Sequence, residues 1–253
     1  MSDYYAHGSF SLAFYDLLTA LSAVHLAGDV DFYAALAGPP PRTVLEIGAG
    51  TGRVANTLAA RGYDVVGLDR AAGMLAAATR SGGGARFVCA DMTRFALTRR
   101  FDLVIAPFYT FSHLDSDRAR RLALGCLREH LAEGGRIALH LVRAEVLDTD
   151  IPAEQLAAQQ IIVRLDGAGL TLRVRIVDRI VDRLRQVCDQ RVEYAVSDAA
   201  GAVIGHSVET LRYGWMSEGE RDRLLGTAGL RLLERRSAFG PEPGGEDILV
   251  LGV

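Results

Sequence analysis

Lysine is missing from this 253-residue sequence, and all 28 basic residues are arginine. Schiff-base chemistry and lysine nucleophiles are thereby excluded. Cysteine is scarce: Cys89, Cys126 and Cys188 form an odd, widely spaced set with neither a disulfide framework nor a CxxC metal pattern. They are expected to be reduced structural thiols in a cytoplasmic protein. No apolar run approaches the roughly 20 residues that span a bilayer, and residues 1–8 carry no basic segment followed by a hydrophobic stretch. A secreted or membrane protein is not expected. Positive charge is also in deficit, 28 basic against 31 acidic residues for a net charge of -3, which gives no electrostatic reason for a polyanionic partner. Nucleic acid is disfavoured.

What is present suits one large domain or one domain with a sizeable insertion, with 49% hydrophobic residues to fill a core. From residue 43 to about 140, short β-branched or apolar runs alternate with Ala/Leu/Arg-rich stretches of helical length, the mark of βαβ units. The spacing predicts strands at 43–47, 63–68, 85–89, 101–106 and 136–141, with helices at about 52–61, 71–80 and 115–131. Near-continuous apolarity at Val44-Leu45 and Leu103-Val104-Ile105-Ala106 predicts strands covered on both faces, as in a parallel sheet. Further on, Leu172, Val174 and Ile176 alternate with Thr171, Arg173 and Arg175, and Val192, Tyr194 and Val196 with Arg191 and Glu193. Together with turn signals at Asp166-Gly167 and at 198–201, this predicts an antiparallel meander with one wet face. A helix at about 217–228 and strands at 230–238 and 246–252 follow, the strands separated by the Gly/Pro loop at 240–245. Upstream, helices are predicted at 9–22 and 29–37. The chain thus divides into N-terminal helices (1–42), an α/β core (43–150), an antiparallel insertion (151–215) and a C-terminal return to the core (216–253).

The segment Glu46-Ile47-Gly48-Ala49-Gly50-Thr51-Gly52 follows a predicted strand and opens a predicted helix, so its glycines sit where the backbone must turn sharply and approach a ligand. A dinucleotide fingerprint reads GxGxxG. Here the third glycine, Gly52, arrives one residue early and Arg53 takes the dinucleotide position, which favours adenosylmethionine over NAD. On these residues, and on Asp69, Asp91 and the Glu133-Gly134-Gly135 turn, the sequence resembles the class I S-adenosylmethionine-dependent methyltransferases from about residue 43 to 141 and again over the last helix and two strands. The resemblance implies a Rossmann-like α/β fold with a mostly parallel seven-stranded sheet and a β-rich insertion after the fifth strand. It also implies that Glu46 to Gly52, with Ala49 and Arg53, wraps the methionine part of S-adenosylmethionine, that Asp69 binds the ribose hydroxyls beside Arg70, and that Asp91 faces the adenine amino group while Met92 packs on the ring. Ala106 and Tyr15 complete the implied cofactor set. In layout the chain is similar to aminosugar N-methyltransferases and related enzymes of secondary metabolism.

The expected activity is therefore methyl transfer to an N or O atom of a small metabolite. C-methylation, and a protein that keeps the cofactor for a rearrangement or cyclisation, are the alternatives. Residues 106–113 follow the fourth strand, where open α/β sheets place their ligands, which makes His113 and Tyr109 the first candidates for acting on the acceptor and His140 the next. His7, His25, His130 and His206 have no motif context and are expected to be structural or on the surface. Ala106-Pro107-Phe108-Tyr109 lacks the Asp or Asn that opens the amino-methylating nucleic-acid motif. Asp148 and Asp150 have no second carboxylate cluster, and no metal is expected. Tyr4, Tyr5, Phe10, Phe14 and Tyr15 suit a lid, and the insertion suits either an acceptor cap or a homodimer interface. Arg173, Arg175, Arg185 and Arg191 are expected to pair across strands with Asp189 and Glu193 rather than to bind an anion.

Overall fold

The computed structural model describes residues 2–21, 26–165, 167, 169–242 and 244–253. Ser22 at the end of the first expected helix, His25, Asp166 of an expected turn and Pro243 of the Gly/Pro loop lie outside the described residues. In chain order the strands are β1 (Ser2–Asp3), β2 (Thr43–Ile47), β3 (Asp64–Asp69), β4 (Arg86–Cys89), β5 (Phe101–Ala106), β6 (Leu131–Leu141), β7 (Gln160–Leu165), β8 (Leu170–Asp182), β9 (Val187–Ser197), β10 (Val203–Gly214), β11 (Arg231–Arg236) and β12 (Asp247–Gly252).

Seven of them form the principal sheet in the order β11-β12-β6-β5-β2-β3-β4. β2 pairs in parallel with both β3 and β5, β3 with β4 and β5 with β6, while β12 runs antiparallel to β6 and to β11. Both faces are covered, as the unbroken apolar runs predict. On one face Leu45, Ile47, Val104, Ile137 and Leu139 pack against Leu124 and Leu127 of the helix Asp117–Glu129 and Leu224 and Leu225 of the helix Glu218–Thr227. On the other, Val44, Ile105, Ala138 and Ile248 pack against Tyr33 of the helix Asp29–Ala37 and Val54 and Leu58 of the helix Arg53–Ala60.

One expected boundary is corrected. β6 begins at Leu131, not at 136, and the preceding helix ends at Glu129. Leu131 already pairs with Phe101, whereas the next partners are Leu103 and Arg136, so the Glu133-Gly134-Gly135 turn is a bulge inside the strand, with Gly134 at φ +71°.

The second sheet has the order β1-β10-β9-β8-β7 and is antiparallel except where β1 joins β10 in parallel. The expected alternation is seen: Leu172, Val174, Val192, Tyr194 and Val196 are buried on one face. That face is covered by Tyr4, Phe10, Phe14, Leu17 and Leu18 of the N-terminal segment. The single helix expected there is two, Phe10–Ala13 and Tyr15–Leu21, interrupted at Phe14. The buried Glu209 carboxylate fixes the entry to the first of them by accepting from the backbone N–H groups of Phe10 (2.7 Å) and Ser11 (3.2 Å).

Three of the four arginines expected to pair across strands do so: Arg175 donates to Glu193 at 2.6 Å, Arg173 lies 3.8 Å from the same carboxylate and Arg191 lies 3.8 Å from Asp178, whereas Arg185 sits in the β8–β9 turn and pairs locally with Asp182 at 3.8 Å. Asp189 pairs with Arg212, an arginine outside the expected set. Asp148 and Asp150 both pair with Arg183.

Candidate functional site

The turn after β2 is held through its backbone N–H groups. Ala49 N–H donates to Leu68 O (3.0 Å), Gly52 N–H to Ala49 O (2.8 Å) and Gly50 N–H to Asp69 Oδ2 (2.8 Å). Two glycines are required here by both conformation and space. Gly48 has φ +68° and an added Cβ would overlap the Thr110 side chain; Gly52 has φ +82° and its Cβ would stand 2.7 Å from Asn56 Nδ2. Gly50 faces the ring of Tyr15, 3.5 Å from where its Cβ would lie. Arg53 closes a bidentate pair on Asp29, itself buried.

Glu46 lies beneath this turn. Its side chain is buried, its Oε2 has no hydrogen-bond partner among the described residues, and burial pushes its carboxyl up to about 8. At neutral pH it is therefore protonated in the absence of a cationic ligand. Asp69, at the end of β3, takes backbone N–H groups on both oxygens, Gly50 on Oδ2 and Ala71 on Oδ1 (2.8 Å each), and so ties the glycine turn to the next helix. Arg70 beside it is exposed. Asp91 accepts from Thr93 N–H (2.8 Å) and Thr93 Oγ1 (2.7 Å), and the backbone bond holds its pKa below the ordinary carboxylate value. Met92 packs at the edge of the core.

The segment after β5 has a different construction. Phe108 and Tyr109 take φ of +45° and +65°, a left-handed pair that non-glycine residues hold only when their surroundings over-determine it. Tyr109 Oη donates to Glu246 Oε2 (2.8 Å), and His140 Nε2 lies 2.7 Å from the same oxygen. The Tyr109 and His140 rings are 4.5 Å apart, and His140 is fully buried against Phe239. His113 Nδ1 lies 3.1 Å from Arg212 O, and its ring is 4.8 Å from Tyr213 and 6.1 Å from Tyr5. Tyr5 in turn is 5.7 Å from Tyr15. Burial lowers the His113 pKa to about 4, so its imidazole is neutral at physiological pH.

The structure thus brings Glu46, the glycine turn, Asp69 and Tyr15 together, and joins His113 to them through Tyr5. Tyr109 and His140 meet each other, next to Tyr213. Glu246 was invisible to sequence reasoning; a single glutamate after a Gly/Pro loop carries no signal until β12 is known to pair with β6. Of the remaining histidines, His130 is structural, its Nε2 accepting from Leu97 N–H at 2.8 Å, while His206 faces Glu193 and His7 is exposed.

The donor set suits a cationic, hydroxyl-rich ligand: a buried acid with one unpartnered oxygen among the described residues, a glycine cradle that a Cβ would fill, and carboxylates at the end of β3 and just past β4. Residues 44–135 match the methyltransferase-domain family. The chain carries an S-adenosylmethionine-dependent methyltransferase domain. Its cofactor is S-adenosylmethionine and it is a methyltransferase of the class I fold. CalS10, an amino pentose methyltransferase from Micromonospora echinaspora solved with the cofactor bound, shares 25% identity at TM-score 0.69, covering 90% of each chain. DesVI of Streptomyces venezuelae superposes at TM-score 0.77 with 20% identity over 96% of this chain and 98% of its own. The sugar N-methyltransferase KedS8 of a Streptoalloteichus species gives 0.76 with 21% identity over 94% and 91%. Comparison with curated protein sequences finds no match.

Proposed function

We propose that this methyltransferase acts on a nitrogen or oxygen atom of a small, polar secondary metabolite, with an amine as the first choice. The observation that carries the reading is the chain of ring contacts Tyr5, His113, Tyr213 and Tyr109, joined to the glycine turn through Tyr15 and lying past the carboxyl end of β5, where open α/β sheets bind ligands. The sugar N-methyltransferase among the similar structures supports the choice of an amine.

In this reading Glu46, Gly48, Ala49, Gly50, Gly52 and Arg53 hold the methionine end of the cofactor, Tyr15 covers it, Asp69 and Arg70 flank the ribose, and Asp91, Met92 and Ala106 enclose the adenine side. Bound S-adenosylmethionine supplies a sulfonium methyl group whose leaving group is neutral, so alignment and exclusion of water carry most of the catalysis. The chain's own contribution at the acceptor centres on His113. Its ring is neutral, and a carbonyl can only accept, so Nδ1 carries the proton donated to Arg212 O and Nε2 keeps a lone pair. That lone pair suits the removal or orientation of an acceptor proton. The N-terminal segment and the insertion at 151–215, which contributes Tyr213, form the acceptor cover.

The test is release of adenosylhomocysteine on incubation with a panel of amino sugars, their nucleotide conjugates, simple amines and phenols. Release with an amine or hydroxyl acceptor is expected, and H113Q should lower turnover by about 10²-fold with cofactor affinity unchanged. A protein that binds the cofactor tightly yet releases none with any member of the panel would overturn methyl transfer to N or O.

A further inference from the structure

We infer that Glu246 is a positioning residue for methyl transfer: with His140 it fixes the Tyr109 ring at the acceptor wall. The inference rests on the acceptor reading of that wall. Phe108 and Tyr109 occupy consecutive left-handed conformations that non-glycine residues disfavour, so something must hold them. The holding group is on a different element. Glu246 stands at the entry to β12, where β12 pairs with β6 at Asp247 and Leu141, and its side chain is only 9% exposed. One oxygen, Oε2, takes both the Tyr109 hydroxyl at 2.8 Å and His140 Nε2 at 2.7 Å, and the Tyr109 and His140 rings are in contact at 4.5 Å. Burial, helped by the hydrogen bond to Glu246, raises the Tyr109 pKa, so the phenol stays protonated and remains the donor. The other side of the ring faces Tyr213 at 6.4 Å, which touches His113. Glu246 therefore acts through Tyr109 on the place where an acceptor lies against His113.

The experiment uses the full chain with S-adenosylmethionine bound and tyrosine rings labelled with ¹³C, the Tyr109 resonance being assigned by its loss in Y109F. In E246A that resonance is expected to move away from its ring-shifted position, whereas in E246Q, which keeps an oxygen acceptor, it is expected to stay. With an acceptor from the panel, E246A and Y109F should each lower kcat by about tenfold, the double variant should be no slower than Y109F alone, and cofactor affinity should not change. E246Q rescues most of the loss, which also answers for an E246A chain that fails to fold. An unmoved Tyr109 resonance in E246A, or rate losses that multiply in the double variant, overturns the inference. Y109F at the wild-type rate overturns it from the other side by removing Tyr109 from the acceptor site, and this result is read without touching Glu246.

Discussion

The glycine turn, the floor of the proposed site, is fixed through its backbone N–H groups, whereas the aromatic cluster after β5, its proposed wall, is fixed by side chains reaching in from distant segments. On the floor, Ala49, Gly50 and Gly52 donate their N–H groups within residues 49–69. On the wall, Tyr109, His140 and Glu246 meet from three stretches of chain, and His113 leans on Arg212 at the end of β10. A backbone-held surface tolerates little change, because a single methyl group at Gly48 has nowhere to go. A side-chain wall can be reshaped one residue at a time without moving the sheet. The division suits a reaction whose methyl donor is constant and whose acceptor differs between enzymes, and under the proposed function specificity falls to the side that the second sheet and the N-terminal segment complete.

The largest expected effect breaks the floor. Gly48→Ala forces a left-handed residue and overlap with Thr110, together roughly 2–5 kcal/mol of destabilisation. Chemical denaturation should show the midpoint falling and calorimetry should show cofactor binding lost. A folded variant that binds normally would mean that the turn relaxes, and the contrast with the wall would fail.

Next comes Asp69→Ala, which strips acceptors from Gly50 and Ala71 and removes the carboxylate proposed for the ribose. Affinity for S-adenosylmethionine should weaken by about 1–3 kcal/mol in calorimetry. Equal affinity in variant and wild type would dismiss the ribose assignment. Smaller again is Glu209→Ala, which leaves the Phe10 and Ser11 N–H groups without their acceptor and loosens the N-terminal cover. Hydrogen exchange over residues 4–18 should accelerate, with cofactor affinity falling by less than about tenfold. Protection unchanged in that segment would show that Glu209 does not hold it.

How much of this was legible in sequence follows the same division. The floor is local: the turn spans seven residues and is marked by its glycine spacing, the family resemblance adds Asp69 at the end of the next strand, and the limits expected for β2 and β5 are the observed ones. The wall depends on long-range pairing. Tyr109 and His113 are candidates because they follow the fourth core strand and His140 because it lies near the end of the fifth, but Glu246 becomes their neighbour only when β12 is laid against β6. The same reason hid Glu209, a glutamate in an alternating strand whose inward face is set by β1 and the helix it caps. The start of β6 was misplaced because the Gly134-Gly135 pair reads as a terminator, whereas the strand carries it as a bulge.

The last test separates floor from wall by pH. Both carry a buried titratable group that is uncharged at neutral pH, but the two respond with opposite sign. Glu46 has a folded pKa of about 8 against an ordinary 4.5, so between those values the folded state binds more protons than the unfolded one, and stability falls as pH rises through that window. His113 has a folded pKa of about 4 against 6.5, so between those values the unfolded state binds more protons, and stability falls as pH drops through that window. The cofactor-free protein should therefore show a stability maximum whose alkaline flank is flattened in Glu46→Gln and whose acid flank is flattened in His113→Gln, each variant leaving the other flank alone. Denaturant midpoints from pH 4 to 9 read both flanks on one plot. If His113→Gln left the acid flank as steep as in the wild type, the imidazole would not be held neutral by burial, and its assignment as a proton acceptor would lose its basis.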